Sequence, residues 1–223
     1  MKTLILTGSD KSMWDVLDLT NPSKQNYAAS KGYDFMCLRS FPGIESCGFK
    51  EQHIGFQRTA FAFKLLNHYD NVMWVDADSV ITNFDYKLED FIHKDACYIA
   101  SYDWMHHTSF SSGNFIVRRT QNVSNFFNAF VQISQHFLEM IVADQGALNQ
   151  MYNIPQYRED FCILDHKYLN AVPGFLTETQ TWIKDNNRSG IVAPWTKDSF
   201  LAHFTGTENS ERIQLIKDNK LNL

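Results

Sequence analysis

The sequence predicts an α/β fold, a Rossmann-like and mostly parallel central sheet with flanking helices in a single domain. Three observations predict it. The chain opens as strand, helix, strand, with Thr3-Leu4-Ile5-Leu6-Thr7, a helical stretch over 21–32 and Tyr33-Asp34-Phe35-Met36-Cys37-Leu38. That order implies parallel pairing through a right-handed crossover. Further on, Val72-Met73-Trp74-Val75 is apolar at every position, as a strand covered on both faces must be. The chain has 223 residues, 44% hydrophobic and 20% charged, a length that fits one domain with a large core.

Composition also excludes. The hydrophobic content is too high for disorder. A net charge of −5 and a pI of about 5.9 with no basic patch argue against nucleic acid as a partner. An acidic protein that binds an anionic substrate needs a metal or a few local cations. The cysteines, Cys37, Cys47, Cys97 and Cys162, are scattered without a Cys-x-x-Cys pair, and Cys97 and Cys162 sit in apolar stretches as reduced core residues do. No signal peptide and no long uncharged apolar run is present, which predicts no membrane span and a soluble, cytoplasmic protein, or a domain of a larger one. Asn122-Val-Ser and Asn187-Arg-Ser match the glycosylation pattern but carry little without a secretory signal.

Taken in order, the first strand runs into Gly8-Ser9-Asp10. The turn offers backbone N–H groups to a nucleotide, or is a simple glycine turn; it is no Gly-x-Gly-x-x-Gly loop. The helix over 21–32 begins at Asn21-Pro22, a cap followed by proline, and stops at Gly32. Residues 40–52, with Pro42, Gly43 and Gly48, read as a loop. Gly55 to His68 reads as a helix carrying Arg58 and Lys64. Arg58 is a cation for a phosphate, or an exposed solubilising arginine.

The apolar strand then enters Asp76-Ala77-Asp78. In an extended strand the two carboxylates point to one side, at the carboxyl end where open α/β sheets bind ligands. Two carboxylates ~4 Å apart repel by roughly 4 kcal/mol at an effective dielectric of 20; a divalent cation removes that cost. Ala77 leaves room for a group to approach the backbone. Two solvated acids at a strand end are the alternative.

Val80 to Asn83, a short helix around Leu88 to His93 and a strand Ala96 to Ala100 follow, the strand leading to Asp103, another acid at a carboxyl end. Trp104 could stack on a sugar ring or lid the core, and His106-His107 suit a loop or acceptor contact. Ser111 to Val117 reads as a glycine-led strand ended by Arg118-Arg119, followed by a helix whose Val123, Phe126, Phe127, Phe130, Ile133 and Phe137 recur at three and four, a core stripe. Asp144 and Gln145 open the next helix, Asp144 as its N-cap or, with Gln145, as a pair that addresses a polar substrate. Phe161 to Leu164 is a strand, 171–190 long loops, Ser199 to Phe204 the last strand with His203 near its end, and Glu208 to Lys217 the closing helix.

These stretches, Leu4 to Gly8, Arg58, Trp74-Val75-Asp76-Ala77-Asp78, Ser112-Gly113-Asn114-Phe115, Asp144-Gln145-Gly146-Ala147 and His203-Phe204-Thr205-Gly206, together resemble metal-dependent glycosyltransferases of the GT-A fold. The nearest groups are the glycogenin-like and galactosyl/xylosyltransferase families, including plant xyloglucan xylosyltransferases and yeast Golgi galactosyl- and mannosyltransferases. The chain is also similar to the amino-terminal glycosyltransferase domain of large algal (chlorella) viruses, for which host cytoplasm would be the location.

The resemblance implies transfer of a sugar from a nucleotide-sugar donor, a UDP-sugar, to a glycan or glycoprotein acceptor, with retention and with Mn²⁺ or Mg²⁺. It implies a nucleotide-binding half over about 1–105 and a sugar- and acceptor-binding half over about 106–223. In it, Asp76, Asp78 and His203 would hold the metal of the DXD motif, with Asp76 also near the ribose. Thr7 and Gly8 would line the uridine pocket, and Ser9, Ala77 and Gly206 would be further contacts of the bound nucleotide-sugar. Arg58, Ser112 and Asp103 would approach the donor sugar and phosphate, and Asp144 and Gln145 would face the reacting sugar.

Three departures stand out. Ser111 or Ser112 replaces an asparagine usual in the family, Asn209 stands about where a lysine is usual, leaving Lys197 or Arg212 to compensate, and the Golgi members' transmembrane anchor is absent.

Two other readings compete. An apolar strand ending in Asp76-Ala77-Asp78-Ser79 also resembles haloacid-dehalogenase-like phosphatases, with Asp76 as nucleophile, although no late Gly-Asp-x-x-x-Asp follows. A non-catalytic nucleotide-sugar-binding module is the other.

Overall fold

The computed structural model describes residues 1–40, 54–92, 95–103, 109–140, 143–173 and 194–218. A sheet of six strands runs in the order β2-β1-β3-β6-β5-β7, built from β1 (Thr3–Gly8), β2 (Asp34–Leu38), β3 (Asn71–Val75), β5 (Tyr98–Ser101), β6 (Asn114–Arg118) and β7 (Phe161–Leu164). β1 pairs in parallel with β2 and β3, and β5 with β7. β6 alone runs antiparallel, between β3 and β5. A second sheet pairs β4 (Ser79–Ile81) antiparallel with β8 (Leu201–His203). The helices are α1 (Trp14–Lys31), α2 (Ile54–Leu65), α3 (Val123–Ser134), α4 (Ala143–Asn153), the single turn α5 (His166–Leu169) and α6 (Asn209–Asp218).

Strand alternation sorts the core onto the two faces of the sheet. Leu4, Leu6, Val72, Trp74, Phe115 and Val117 pack with residues of α2, α3 and α4. Ile5, Met73, Val75, Ile99 and Ile116 pack with Tyr27 and Ala28 of α1 and with Phe200 and Leu201. Phe126 and Phe130 of α3 are fully buried. Each such ring contributes roughly 1.5–3 kcal/mol on leaving water, which makes that stripe core, as its spacing predicts.

The structure corrects the sequence reading at several elements. α1 starts at Trp14, with Pro22 inside it rather than at its start. Its buried face carries Thr20, Ser23 and Lys24 beside Val16, Leu17 and Tyr27, so apolar periodicity is blurred and the proline looked like a boundary. The helix of the Arg58 segment ends at Leu65, not His68, and β5 lies over Tyr98–Ser101. β6 begins at Asn114, leaving Ser111 to Gly113 outside the strand. The last strand joins β4 instead of the main sheet. Asp144 lies inside the first turn of α4 and is not its N-cap. Among the described residues no helix is long and apolar enough to cross a membrane. Cys37, Cys97 and Cys162 are free thiols, Cys97 buried. Trp104, His106, His107, Cys47, Asn187 and most of the loops expected over 171–190 lie outside the described residues.

Candidate active site

The site forms where the carboxyl ends of β1 and β3 meet the start of β6. The registers Thr7↔Val75 and Val75↔Asn114 bring the three chain segments level. β3 ends at Val75, and the next residues turn: the Ser79 N–H donates to the Asp76 carbonyl at 3.1 Å. Asp76 and Asp78 therefore converge through a tight turn, not through the alternation of an extended strand. β4 then leaves the turn and pairs Ser79 with His203, which delivers the imidazole to the carboxylates.

Each carboxylate divides its oxygens. Asp76 Oδ1 accepts from Trp74 Nε1 at 2.7 Å and from Arg58 Nη1 at 2.5 Å. Its Oδ2 faces His203 Nε2 at 3.9 Å. Asp78 Oδ2 pairs with Arg212 Nη2 at 3.2 Å, and Oδ1 faces the same His203 Nε2 at 3.4 Å. Three ligand atoms of Asp76, Asp78 and His203 thus lie within 4.8 Å of one another.

A second residue sets the imidazole. The Asn170 amide donates from Nδ2 to the Tyr102 carbonyl at 3.1 Å, which turns its Oδ1 to His203 Nδ1 at 2.8 Å. An oxygen acceptor there keeps a proton on Nδ1 and presents Nε2 to the carboxylates, the orientation of a metal-ligating histidine. Gly113 completes the fit. A Cβ there would lie 2.6 Å from His203 Cε1 and 3.0 Å from Asp76 Oδ2, so only glycine lets β6 enter so close to these groups. The donor set and its cradle suit a divalent cation.

Charge is balanced around the cluster. Burial pushes the Asp76 carboxyl up and the charge of Asp78 adds to this, against Arg58 and His203. Burial acts on Asp78 the same way but is outweighed by His203, Arg212 and Lys24, which hold that carboxyl well below the usual range. Arg58 stays charged despite its burial, because Asp144 and Asp76 raise it further. Lys24, fully buried beneath the turn, is lowered by desolvation to about 7 in spite of Asp78 and Asp76.

A polar chain continues from the cluster. Arg58 Nη2 reaches Asp144 Oδ2 and Ser112 Oγ, both at 3.1 Å, and Asp144 also accepts from Thr59 Oγ1 at 3.3 Å. The Ser112 N–H donates to Gln145 Oε1 at 3.3 Å, and Gln145 Nε2 donates to Asp103 Oδ2 at 2.9 Å. Asp103, Asp144, Gln145, Ser112 and Arg58 form one network ending at Asp76.

A cleft of about 160 Å³ opens beside it, lined by Gly8, Ser9, Arg58, Asp76, Ala77 and Asp78 together with Asp10, Met13, Ile54 and Trp74. The Ser9 hydroxyl is buried there without a hydrogen-bond partner among the described residues. Thr7 is turned away: its hydroxyl donates to the Val75 carbonyl at 2.7 Å and receives Lys24 Nζ at 3.2 Å. Gly206 takes the left-handed φ of 70° after β8. Of the two cations expected to replace the missing lysine, Arg212 reaches the cluster while Lys197 is exposed. A larger cavity of about 960 Å³ lies at the opposite strand ends, beside Asn122, Tyr152, Arg158 and Asp160; it holds none of the expected site residues, and the chemistry sits in the smaller cleft.

Lys24, Asn170 and the indole of Trp74 were missed as site residues. Trp74 stands two residues before Asp76 and so could have been found; a lysine on a helix face otherwise made of Thr20, Ser23, Tyr27 and Ala28 was a weaker signal, and Asn170 left none.

Comparison with known proteins bears on the fold that carries this site. The model of the family described as "Protein of unknown function, DUF273" matches residues 25–164, more than half of the chain. No curated protein matches. Among solved structures, a glycosyltransferase involved in the glycosylation of the major capsid of PBCV-1 is similar with a TM-score of 0.69 and 16% identity, over 98% of this chain and 100% of that one. The galactosyltransferase LgtC, in complex with donor and acceptor sugar analogs, gives a TM-score of 0.55 and 15% identity over 96% and 95%. Mouse xyloside xylosyltransferase 1 gives 0.55 and 10% over 92% and 98%. At these identities the likeness shows the fold, and the GT-A fold that the sequence resembles is the fold of this chain.

Proposed function

The chain belongs to the DUF273 family, and we propose that it is a metal-dependent glycosyltransferase that moves a sugar from a UDP-sugar to a glycan acceptor with retention of configuration. The observation that carries this is the convergence of Asp76, Asp78 and His203 within 4.8 Å, the two aspartates lining a cleft at the carboxyl ends of β1 and β3. Structural neighbours described as glycosyltransferases, one of them with donor and acceptor analogs, support the same reading.

Asp76, Asp78 and His203 would hold the cation, Mn²⁺ or Mg²⁺, since carboxylate oxygens joined by one imidazole suit these better than Ca²⁺ or structural zinc. A bound divalent ion supplies Lewis-acid neutralisation of the charge that develops on a diphosphate leaving group. Gly8 and Ser9 would contact the nucleoside, and Ser9 brings an unused buried hydroxyl to that contact. Arg58 adds a fixed positive charge on the cleft wall, held by Asp76 and Asp144. Asp103 and Gln145, joined to each other, would bind sugar hydroxyls, with acceptor contacts supplied by the second half of the chain. Asp144 Oδ2 accepts from Arg58 and Thr59, which ties this carboxylate to the cleft wall, and retention is carried by the resemblance to the GT-A families. Asp76 Oδ1 accepts from Trp74 and Arg58 while Oδ2 faces His203, a placement that favours a ligand over a phosphatase nucleophile.

The test is thermal stability with UDP and with GDP, each with Mn²⁺, Mg²⁺ or EDTA. A ligand that binds only the folded state stabilises it by about 2.7 kcal/mol at a hundred times its Kd. A Mn²⁺-dependent shift with UDP that disappears in Asp78→Ala is expected. Absence of any nucleotide shift in folded protein would overturn the proposal, and the anomeric configuration of the transfer product checks retention.

A further inference from the structure

Lys24 lies on the inward face of α1, fully buried, with its ammonium directly beneath the Asp76–Ala77–Asp78 turn. Its Nζ reaches the Asp76 carbonyl at 2.8 Å and the Ala77 carbonyl at 3.4 Å. Its other partners are Thr20 Oγ1 at 3.0 Å and Thr7 Oγ1 at 3.2 Å. The two threonines are themselves anchored. Thr20 donates to the Ala77 carbonyl at 2.6 Å, and Thr7 donates across to the Val75 carbonyl at 2.7 Å. The backbone oxygens of residues 75, 76 and 77 are thus all drawn down onto Lys24 and its two threonines, while the Asp76 and Asp78 side chains point the other way, to His203.

This arrangement is costly unless it does something. A buried ammonium is tolerated only when its hydrogen bonds are made by fixed acceptors, and a charge-assisted bond to a carbonyl is stronger than a neutral one. Beneath a pair of mutually repelling carboxylates, it fastens the turn that holds them together. We propose that Lys24 is a positioning residue for the cation centre: by tying the Asp76 and Ala77 carbonyls to α1 it holds the two carboxylates facing His203 in the geometry that binds a divalent ion. The proposal rests on the reading of Asp76, Asp78 and His203 as a cation site.

Electrostatics make the test one of sign. Whatever charge Lys24 carries repels a divalent ion, so charge repulsion alone would leave Lys24→Met binding Mn²⁺ as tightly as the wild type or more tightly. Positioning makes it bind more weakly. Mn²⁺ affinity is measured directly, by titration calorimetry and by the loss of the free-ion paramagnetic resonance signal, without nucleotide. The proteins are the wild type, Lys24→Met, Asp78→Ala and Phe126→Ala, the last a core variant remote from the turn.

The expected result is Mn²⁺ binding by the wild type, lost in Asp78→Ala, weakened at least tenfold in Lys24→Met and unchanged within twofold in Phe126→Ala. Equal or tighter binding by Lys24→Met would overturn the proposal, as would a loss in Phe126→Ala as large as that in Lys24→Met, since general destabilisation would then explain both. If Lys24→Met does not fold, Thr20→Val, which removes one partner of Lys24 and the second donor to the Ala77 carbonyl, is expected to weaken Mn²⁺ at least threefold, and wild-type affinity in that variant overturns the proposal. A wild type that binds UDP but no Mn²⁺ removes the cation centre itself and the role of Lys24 with it.

Discussion

At residue 113 a single added carbon would lie 2.6 Å from His203 Cε1 and 3.0 Å from Asp76 Oδ2, and neither group can retreat. His203 is held from behind by Asn170 and Asp76 from the side by Trp74 and Arg58. Gly113→Ala should therefore leave the fold and cooperative unfolding intact yet lower Mn²⁺ affinity and glycosyl transfer at least tenfold, measured by metal titration and product formation. Asn170→Ala should act on the same group from the other side. Loss of a partner that orients a ligating histidine typically costs 10–100-fold in metal affinity or activity, so a comparable weakening of Mn²⁺ binding is expected, with little change in the affinity of metal-free protein for UDP. These two residues mark how far the site was legible. Asp76 and Asp78 could be read because an apolar strand running into two carboxylates suggests a cation, and His203 joined them through the resemblance of its His-x-x-Gly to the GT-A families. Asn170 could not, because its meaning lies in the carbonyl of Tyr102 and the ring of His203, neither of them its neighbour in sequence.

At the scale of elements, what was legible is what is local. The α3 stripe declares itself through its period, and Phe126 sits in it fully buried among Tyr98, Phe161 and Phe63. Phe126→Ala should destabilise by about 3–5 kcal/mol, the usual cost of removing a buried ring, read as a fall in denaturant midpoint at unchanged slope. Phe127→Ala, at a partly buried position of the same helix, should cost distinctly less. The start of α1 was not legible, since its inward face trades apolar residues for Thr20 and Lys24, which reach the backbone of the Asp76 turn, and for Ser23, which accepts from the Ile81 N–H of β4. The pairing of β4 with β8 was not legible either. It joins segments more than a hundred residues apart, and each strand has only three residues, too few for a pattern to name the partner.

For the molecule as a whole, burial governs the response to alkali. The phenols of Tyr27 and Tyr33 are pushed up by desolvation, helped by their acidic neighbours, and the Cys97 thiol is pushed up by burial to about 11. A group whose folded value lies above its unfolded one contributes stability that is complete below the unfolded value, near 9 for the thiol and about 10 for the phenols, and that is lost as pH rises toward the folded value. The folded protein should accordingly keep part of its phenolate absorbance and its Cys97 thiol reactivity hidden until alkaline unfolding releases them together. Phenolate absorbance and thiol labelling that rise well before unfolding would contradict this. The small second sheet has a consequence of another kind. Because Ser79 pairs with His203, the three residues of the candidate cation site meet only after residue 203 has left the ribosome and β8 has docked. Through most of its synthesis the emerging chain carries both aspartates without the histidine they face.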